Sequence, residues 1–182
     1  GRVADACRLP GARVAWDRAG SGYTCAPLYV HGLGGARGGG VLRGMQRESY
    51  VLATKVGRVL RAVAAPEPGQ SFVDTPPVNP VFDFSYDATL HSVEESLQRL
   101  GVDRVDVLHI HDPADHYEEA LNGSYRELDK LGSERVIGDV GTGINKWQML
   151  SRYAREEHFD VFILADRYTV FDQSHSNTLI MQ

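Results

Sequence analysis

The stretch Phe84–Pro113, which reads FSYDATLHSVEESLQRLGVDRVDVLHIHDP, contains one complete helix–strand unit. Within Asp87–Leu100 the apolar residues recur every three or four positions and therefore lie on one stripe of a helix: Leu90, Val93, Leu97 and Leu100. The next residue, Gly101, is of the type that commonly ends a helix. Val105–His111 follows as a run rich in Val, Leu and Ile, which is typical of a buried strand. We therefore predict a helix and a strand joined by a short turn.

The same alternation of strands and helices continues on both sides of this unit. Further strands are predicted at Gly22–Ala26, Tyr50–Val56, Val136–Val140 and Val161–Ala165. Further helices are predicted at Ala12–Ala19, Tyr117–Leu131 and Lys146–Glu157. Strand–helix–strand repetition at this spacing indicates a parallel sheet with right-handed crossovers. The sequence thus predicts one α/β domain over residues 1–182, with about five parallel strands and flanking helices.

Two segments interrupt this alternation. Gly32–Gly44 contains seven glycines where the pattern requires a helix. Each glycine costs a helix about 1 kcal/mol relative to alanine, so we expect this helix to be frayed or absent. The segment lacks a Gly-x-Gly-x-x-Gly pattern and is interpreted as a loose connection. The second segment, Arg58–Ser85, contains five prolines. It is predicted to be non-helical, either a surface excursion over a ligand site or a disordered insertion.

Composition excludes several classes of function. The 182 residues are 42% hydrophobic and 24% charged, which is typical of one ordinary domain. The net charge is −5 and the 19 basic residues are scattered, so neither nucleic acid nor an anionic membrane surface is an expected partner. No apolar run approaches the ~20 residues that span a bilayer. Cys7 and Cys25 are too few for a disulfide framework or a four-thiolate zinc site, and we expect free thiols in the cytoplasm.

Three polar residues lie where the predicted parallel strands end: Tyr29, Lys55 and His111. In parallel α/β folds this end of the strands carries the active site. A nearby ammonium such as Lys55 favours the phenolate form of Tyr29, which makes the phenol a better acid/base. A histidine beside them can orient a substrate oxygen. The trio could protonate a carbonyl during reduction, or deprotonate an alcohol as hydride leaves.

From the sequence alone, the same residues could also have purely structural roles. Tyr29 could be a half-buried aromatic at a strand end, and Lys55 could extend its ammonium to solvent. His109 and His111 share one strand face near three further candidate ligands: Asp112, Asp115 and His116. Two histidines two positions apart only weakly favour a metal site, and we predict none.

Four stretches resemble the aldo-keto reductase superfamily: Ala26–Tyr29 (APLY), Tyr50–Arg58 (YVLATKVGR), Phe84–Pro113 and Ala165–Gln173 (ADRYTVFDQ). The resemblance runs from about Ala12 to Ser174 and is closest to the branch of L-fucose (D-threo-aldose) 1-dehydrogenases and pyridoxal 4-dehydrogenases. It implies a partial TIM (β/α) barrel and an NAD(P) cofactor bound without a Rossmann domain. It also implies a small-molecule aldose, aldehyde or alcohol as substrate.

The resemblance assigns a role to each candidate residue. Tyr29 would be the general acid/base, Lys55 would tune it, and His111 would orient the substrate. Asn145 would lie near the nicotinamide carboxamide. One member of the family's catalytic set is replaced, because Thr24 stands where the family has an aspartate that pairs with the lysine. We therefore expect Lys55 to lack its carboxylate partner.

The ends of the chain depart from the family pattern. No N-terminal strand is recognisable in Gly1–Pro10, and the resemblance fades after Ser174. A complete barrel needs roughly 250 residues, so the last two strand–helix units, which hold much of the pyrophosphate and adenosine in this family, are expected to be missing. Two functions stay open: an oxidoreductase, and a catalytically impaired relic that acts as a binding or scaffold protein. Unpaired strand edges of a partial barrel favour a homo-oligomer.

Overall fold

The computed structural model describes residues 6–8, 22–64, 72, 74–156 and 159–164, and a six-stranded sheet forms its centre. Five strands of this sheet are parallel and lie side by side in the order β2 (Gly22–Thr24), β3 (Val51–Val56), β6 (Val107–His111), β7 (Asp139–Ile144) and β8 (Val161–Leu164). The sixth strand, β1 (Ala6–Arg8), pairs antiparallel with β8. The predicted five parallel strands are confirmed, and with their helices they form part of a (β/α) barrel.

Helices connect the parallel strands. They are α1 (Leu33–Leu42), α2 (Tyr86–Leu100), α3 (Tyr117–Ala120), α4 (Arg126–Ser133) and α5 (Trp147–Glu156). A π turn at Leu121–Tyr125 joins α3 to α4 without a break. Helix α2 begins at Ser85, whose hydroxyl accepts from the backbone N–H of Ala88, and ends at Gly101 in the left-handed conformation, as predicted.

The two faces of the sheet differ in character because side chains alternate along each strand. The outer face packs apolar side chains against the helices in the main core, which includes Leu52, Leu108, Ile110, Val140, Ile144 and Phe162. The inner face has a small apolar cluster of Val51, Ala53, Val107 and Val161. Farther along the same strands this face carries three buried polar residues: Lys55, His109 and His111. The inner face is therefore the side of the sheet that carries the chemistry.

The prediction that glycines abolish the helix in Gly32–Gly44 is wrong. Helix α1 extends over Leu33–Leu42 and buries Gly35, Gly39 and Leu42. A Cβ on Gly39 would overlap the backbone of Leu100 at the end of α2. The absence of a side chain thus lets the two helices approach at backbone distance, and this packing offsets the poor helix propensity of glycine.

The described parts of the segment Arg58–Ser85 are ordered, which contradicts a wholly disordered insertion. Its ends form an antiparallel hairpin of β4 (Arg58–Ala62) and β5 (Val78–Phe82), in which Arg58 pairs with Phe82. Pro80 lies inside β5, which is tolerated because this two-stranded sheet consists of edge strands. The hairpin begins two residues after β3, next to the carboxyl ends of the parallel strands.

Two strand predictions also differ from the structure. The strand predicted at Val136–Val140 is β7, Asp139–Ile144, because residues 134–136 form the turn that ends α4. In that turn Arg135 has a left-handed backbone and the N–H of Val136 donates to Leu131 O at 2.9 Å. A short N-terminal strand does exist, at Ala6–Arg8. The helix predicted at Ala12–Ala19 lies outside the described residues, and the single domain over 1–182 stays a prediction.

Candidate active site

Strand register brings the predicted site residues to one edge of the sheet. Lys55 on β3 pairs with His109 on β6, and His111 pairs with Gly143 on β7. Because these strands are parallel, their carboxyl ends meet at the same edge. Lys55 and His111 are therefore neighbours on the inner face at that edge, as the sequence pattern predicted.

A turn at the end of β2 carries Tyr29 to this edge. Tyr29–Gly32 forms a 3₁₀ turn in which Val30 and His31 both have left-handed backbones, with φ of 51° and 49°. This conformation is costly for residues with a Cβ, most of all for a β-branched one. A hydrogen bond between His31 Nδ1 and Val78 O, 2.8 Å long, holds the turn against the hairpin. The strained turn thereby fixes the position of the tyrosine.

The Tyr29 phenol and the Lys55 ammonium contact each other directly. Lys55 Nζ donates to the Tyr29 hydroxyl oxygen at 2.8 Å and lies 4.6 Å from the centre of its ring. Lys55 is only 4% exposed, and among the described residues no carboxylate forms an ion pair with it. A buried cation that donates to a phenol stabilises the phenolate more strongly than it would in water. The pair has the arrangement that an acid/base group requires.

His111 completes the group as a neutral ring. Its ring is edge-on to that of Tyr29, with 5.9 Å between the ring centres. Burial, and then the nearby charges of Lys55 and Arg58, lower the pKa of His111 to about 3. A neutral imidazole has one N–H donor and one bare nitrogen. His111 can therefore donate a hydrogen bond to a substrate oxygen at neutral pH without carrying charge.

His109 forms the floor of the site. It is 2% exposed, and burial, with Lys55 next, lowers its pKa to about 3. A Cβ on Gly141 would overlap His109 Nδ1, so the glycine in the neighbouring strand leaves the room that this ring occupies. We therefore assign His109 to packing.

Two further charged residues lie at this edge: Arg58, which the sequence analysis did not single out, and Asp112, which it considered only as a candidate metal ligand. Asp112 follows His111 directly, and its Oδ2 lies 3.6 Å from His111 Nε2 and 3.8 Å from Arg58 Nη2. Arg58 begins the hairpin strand β4. The only signal for them was adjacency, since each comes within three residues of a predicted site residue in Lys55-Val56-Gly57-Arg58 and His111-Asp112.

Asn145 and Thr24 occupy positions consistent with the roles expected of them. Asn145 is exposed and follows β7 at the same edge of the sheet, one residue after Ile144. Thr24 pairs in register with Ala53, two residues before Lys55, so Thr24 and Lys55 face the same side of the sheet. Thr24 thus stands where a carboxylate could have faced the lysine, and it offers none.

Two other kinds of feature are absent from the described residues. They contain no group of three His, Cys, Asp or Glu side chains placed to hold a metal ion. Within the same residues, no helix is both long enough and apolar enough to cross a membrane.

Asn145, with an amide that both donates and accepts, matches the carboxamide of a nicotinamide in chemistry. The edge residues therefore fit the nicotinamide end of an NAD(P) cofactor.

Comparisons with known proteins point to one family. The family model described as Aldo/keto reductase family matches residues 14–181. The chain is 35% identical over 167 residues to D-threo-aldose 1-dehydrogenase of a Pseudomonas species, covering 87% of this chain and 50% of that protein. It is 33% identical over 181 residues to pyridoxal 4-dehydrogenase of Microbacterium luteolum, covering 87% and 52%.

The fold is also shared with a solved structure. A Pseudomonas aeruginosa protein described as an aldo-keto reductase superposes with a TM-score of 0.66 at 27% identity, covering 94% of this chain and 61% of that one. The chain spans about half the length of the curated relatives it matches. Since the family model matches most of the chain, this protein belongs to the aldo/keto reductase family.

Proposed function

We propose that this chain acts as an NAD(P)-dependent oxidoreductase on small carbonyl and alcohol substrates, as an aldose 1-dehydrogenase or as a carbonyl reductase. The observation that carries the proposal is the 2.8 Å hydrogen bond from the buried Lys55 ammonium to the Tyr29 phenol, beside neutral His111. Family membership and the names of the two curated relatives, D-threo-aldose 1-dehydrogenase and pyridoxal 4-dehydrogenase, favour the same chemistry.

The proton in this reaction moves at the Tyr29 oxygen. In the direction of reduction, the phenol donates its proton to the carbonyl oxygen as that oxygen gains negative charge. In the direction of oxidation, the phenolate removes the proton from the hydroxyl of the alcohol or aldose. Lys55 favours both directions because its ammonium stabilises the phenolate that is formed or consumed. NAD(P), when bound, supplies or accepts the hydride.

His111 positions the reacting oxygen. As a neutral ring it can donate from Nε2 to the carbonyl oxygen, which lowers the cost of charge developing there. Asn145, which follows β7, is the residue we propose to bind the nicotinamide carboxamide. His109 stays a packing residue in this scheme.

We also propose a substrate class, a compartment and an oligomeric state. The substrate is a small aldose, aldehyde or alcohol, and the cytoplasm is the compartment that we predict from cysteine content. Strands β1 and β2 are the outer strands of the described sheet. An unpaired outer edge is a surface for association, so a homo-oligomer remains our prediction, to be measured by light scattering coupled to gel filtration.

The test of the proposed function is a turnover assay on the full chain. The purified protein is mixed with NADH or NADPH and a set of short aldehydes, or with NAD⁺ or NADP⁺ and a set of aldoses. We expect a change in the absorbance of the reduced nicotinamide with at least one substrate. If dinucleotide binds, as measured by calorimetry, but no substrate is turned over, the chain would instead be the impaired binding protein that Thr24 makes conceivable.

A further inference from the structure

An arginine and an aspartate face each other at the rim of the site without forming a hydrogen bond. Arg58 Nη2 and Asp112 Oδ2 are 3.8 Å apart, which satisfies an ion pair but is too long for a hydrogen bond. No other described carboxylate pairs with Arg58. Both groups therefore retain hydrogen-bonding capacity at the edge where Tyr29, Lys55 and His111 meet.

The guanidinium of Arg58 is held in one plane by an aromatic ring. Its central carbon lies 3.5 Å from the centre of the Phe82 ring, which pairs with it across the hairpin. Stacking uses the face of the guanidinium and leaves its N–H donors free in the plane. One of them, Nε, is buried and has no acceptor among the described residues.

Asp112 is fixed in place beside the proposed catalytic histidine. Its backbone is left-handed, with φ of 48° and ψ of 49°, and its N–H donates to Gly143 O at 2.9 Å. Its Oδ2 lies 3.6 Å from His111 Nε2, the atom that we propose to contact the substrate oxygen. A group bound to Asp112 would therefore lie close to the reacting oxygen, about one carbon away along the substrate.

We propose that Arg58 and Asp112 form a hydroxyl-recognition pair, which selects substrates that carry a hydroxyl on the carbon next to the reacting carbon. A hydroxyl can accept and donate at once. A hydroxyl beside the pair can accept from the guanidinium and donate to the carboxylate. The 3.8 Å separation of Arg58 Nη2 and Asp112 Oδ2 lets one oxygen reach both atoms. This inference rests on the proposed function and adds the substrate class, α-hydroxy carbonyl compounds and the matching vicinal alcohols.

Other substituents fit this pair less well. A substrate carboxylate would meet the carboxylate of Asp112, and like charges this close repel. A plain alkyl aldehyde would cover both groups without bonding either, which leaves desolvated polar atoms unpaired. Sites that bond a substrate hydroxyl reject the analogue lacking it for that reason.

The test compares two aldehydes that differ by one hydroxyl, lactaldehyde and propanal. For the full chain we expect kcat/KM to favour lactaldehyde by about 100-fold. This is less than the roughly 10⁴–10⁵-fold preference that sites built to bond a substrate hydroxyl can reach, because this site is partly open to solvent. In Arg58→Met and in Asp112→Ala the ratio should fall at least about tenfold, because one partner of the hydroxyl is gone. A wild-type ratio near one overturns the proposal without any variant.

Arg61→Met is the matched control. Arg61 lies on the same hairpin strand and forms an ion pair with Asp83 at 3.0 Å, with its side chain 58% exposed. Its removal changes the hairpin charge by the same amount, so the aldehyde ratio should stay at the wild-type value. An equal loss of the ratio in Arg61→Met would overturn the specific role of Arg58.

A binding measurement separates this inference from the proposed function. Saturation-transfer NMR without cofactor compares propane-1,2-diol with propan-1-ol on the wild type and on Arg58→Met. We expect the wild type to prefer the diol and the variant to lose that preference. A diol preference without turnover of either aldehyde contradicts the proposed function and supports the hydroxyl site. Turnover with no preference in either assay contradicts the hydroxyl site and leaves the proposed function standing.

Discussion

At the scale of single residues, burial distinguishes the Tyr29–Lys55 pair from a chemically similar pair on the surface. Lys130 Nζ donates to the Tyr86 hydroxyl at 2.9 Å, almost the same distance as in the proposed site. Tyr86 and Lys130 are both exposed, whereas Lys55 is 4% exposed and Tyr29 is half-buried. Because water screens charges at the surface, the ammonium and the hydroxyl interact less strongly in the exposed pair. The same two residue types therefore have different chemistry at the two places.

Thr24 offers a direct test of the missing carboxylate. Thr24 and Lys55 face the same side of neighbouring strands, so an aspartate at 24 can approach the ammonium. Since a positioned acid/base group contributes about 10²–10⁴ in rate, we expect Thr24→Asp to raise kcat by about tenfold. The measurement is steady-state turnover beside Thr24→Asn, which has the shape without the charge. Equal rates for the two variants and the wild type would show that the carboxylate does not matter in this chain.

The buried histidines predict how stability depends on pH. His109 and His111 have pKa values near 3 when folded, against about 6.5 for an unfolded histidine, so only the unfolded chain takes up protons between these values. The contribution of these two histidines to the free energy of unfolding is therefore fully present above pH 6.5, and it falls as the pH is lowered towards 3. The loss is about 1.4 kcal/mol per pH unit for each histidine.

Burial raises the pKa of the Asp112 and Asp139 carboxyls, which works in the opposite direction. Burial, and then the charges of Asp160 and Asp106, raise the pKa of Asp139 to about 6, so the folded chain takes up that proton first and gains stability below this pH. Asp139 is partly open to solvent, so this offset is smaller than the effect of two histidines. Urea unfolding at pH 7, 6 and 5 should show a shallower decline in His111→Asn and an unchanged one in His91→Asn, whose ring is exposed. Identical slopes in all three proteins would contradict the assignment.

The sequence predicted the central site residues better than those at the rim. Tyr29, Lys55 and His111 could be found because polar residues at the ends of apolar strands stand out against their neighbours. The pairing of Arg58 with Asp112 could not be predicted, because it depends on a hairpin and on a left-handed backbone that no local pattern indicates. The functional roles of all these residues stay predictions.

At the scale of elements, tertiary packing decided where local propensity failed. Helix α2 was predicted within one residue because its apolar stripe and Gly101 agree, and the structure adds Ser85 as its N-terminal cap. Helix α1 exists despite its glycines because it packs on the end of α2. Strand β7 was misplaced because Gly141 and Gly143 are poor strand formers, and the need for Gly141 is set by His109 in the next strand.

Two substitutions in α1 separate propensity from packing. Gly39→Ala places a Cβ into the backbone of Leu100 and should destabilise the protein by about 1–3 kcal/mol. Gly40→Ala meets no atom within 4 Å and should stabilise it by about 0.5–1 kcal/mol through helix propensity. Chemical denaturation of both variants gives the two values. If Gly39→Ala were as stable as Gly40→Ala, the close approach of the helices would not explain the glycines.

At the scale of the whole molecule, the sheet separates structure from chemistry by its two faces. The outer face and the helices contain the main apolar core. The inner face has only four residues in its apolar cluster, followed by the polar residues of the proposed site. The sequence could predict this layered arrangement because alternating strands and helices admit few topologies. It could not predict the antiparallel strand β1, whose three residues carry too little pattern.

The central claim is that Tyr29 transfers the proton in an NAD(P)-dependent oxidation or reduction. The most direct test is kcat for the wild type, Tyr29→Phe and Tyr86→Phe with the best substrate found for the full chain. We predict that Tyr29→Phe lowers kcat by about 10²–10⁴, because only the proton-bearing oxygen is removed. Tyr86→Phe, which loses the equivalent hydrogen bond on the surface, should keep the wild-type rate. A Tyr29→Phe variant that turns over as fast as the wild type would contradict the account.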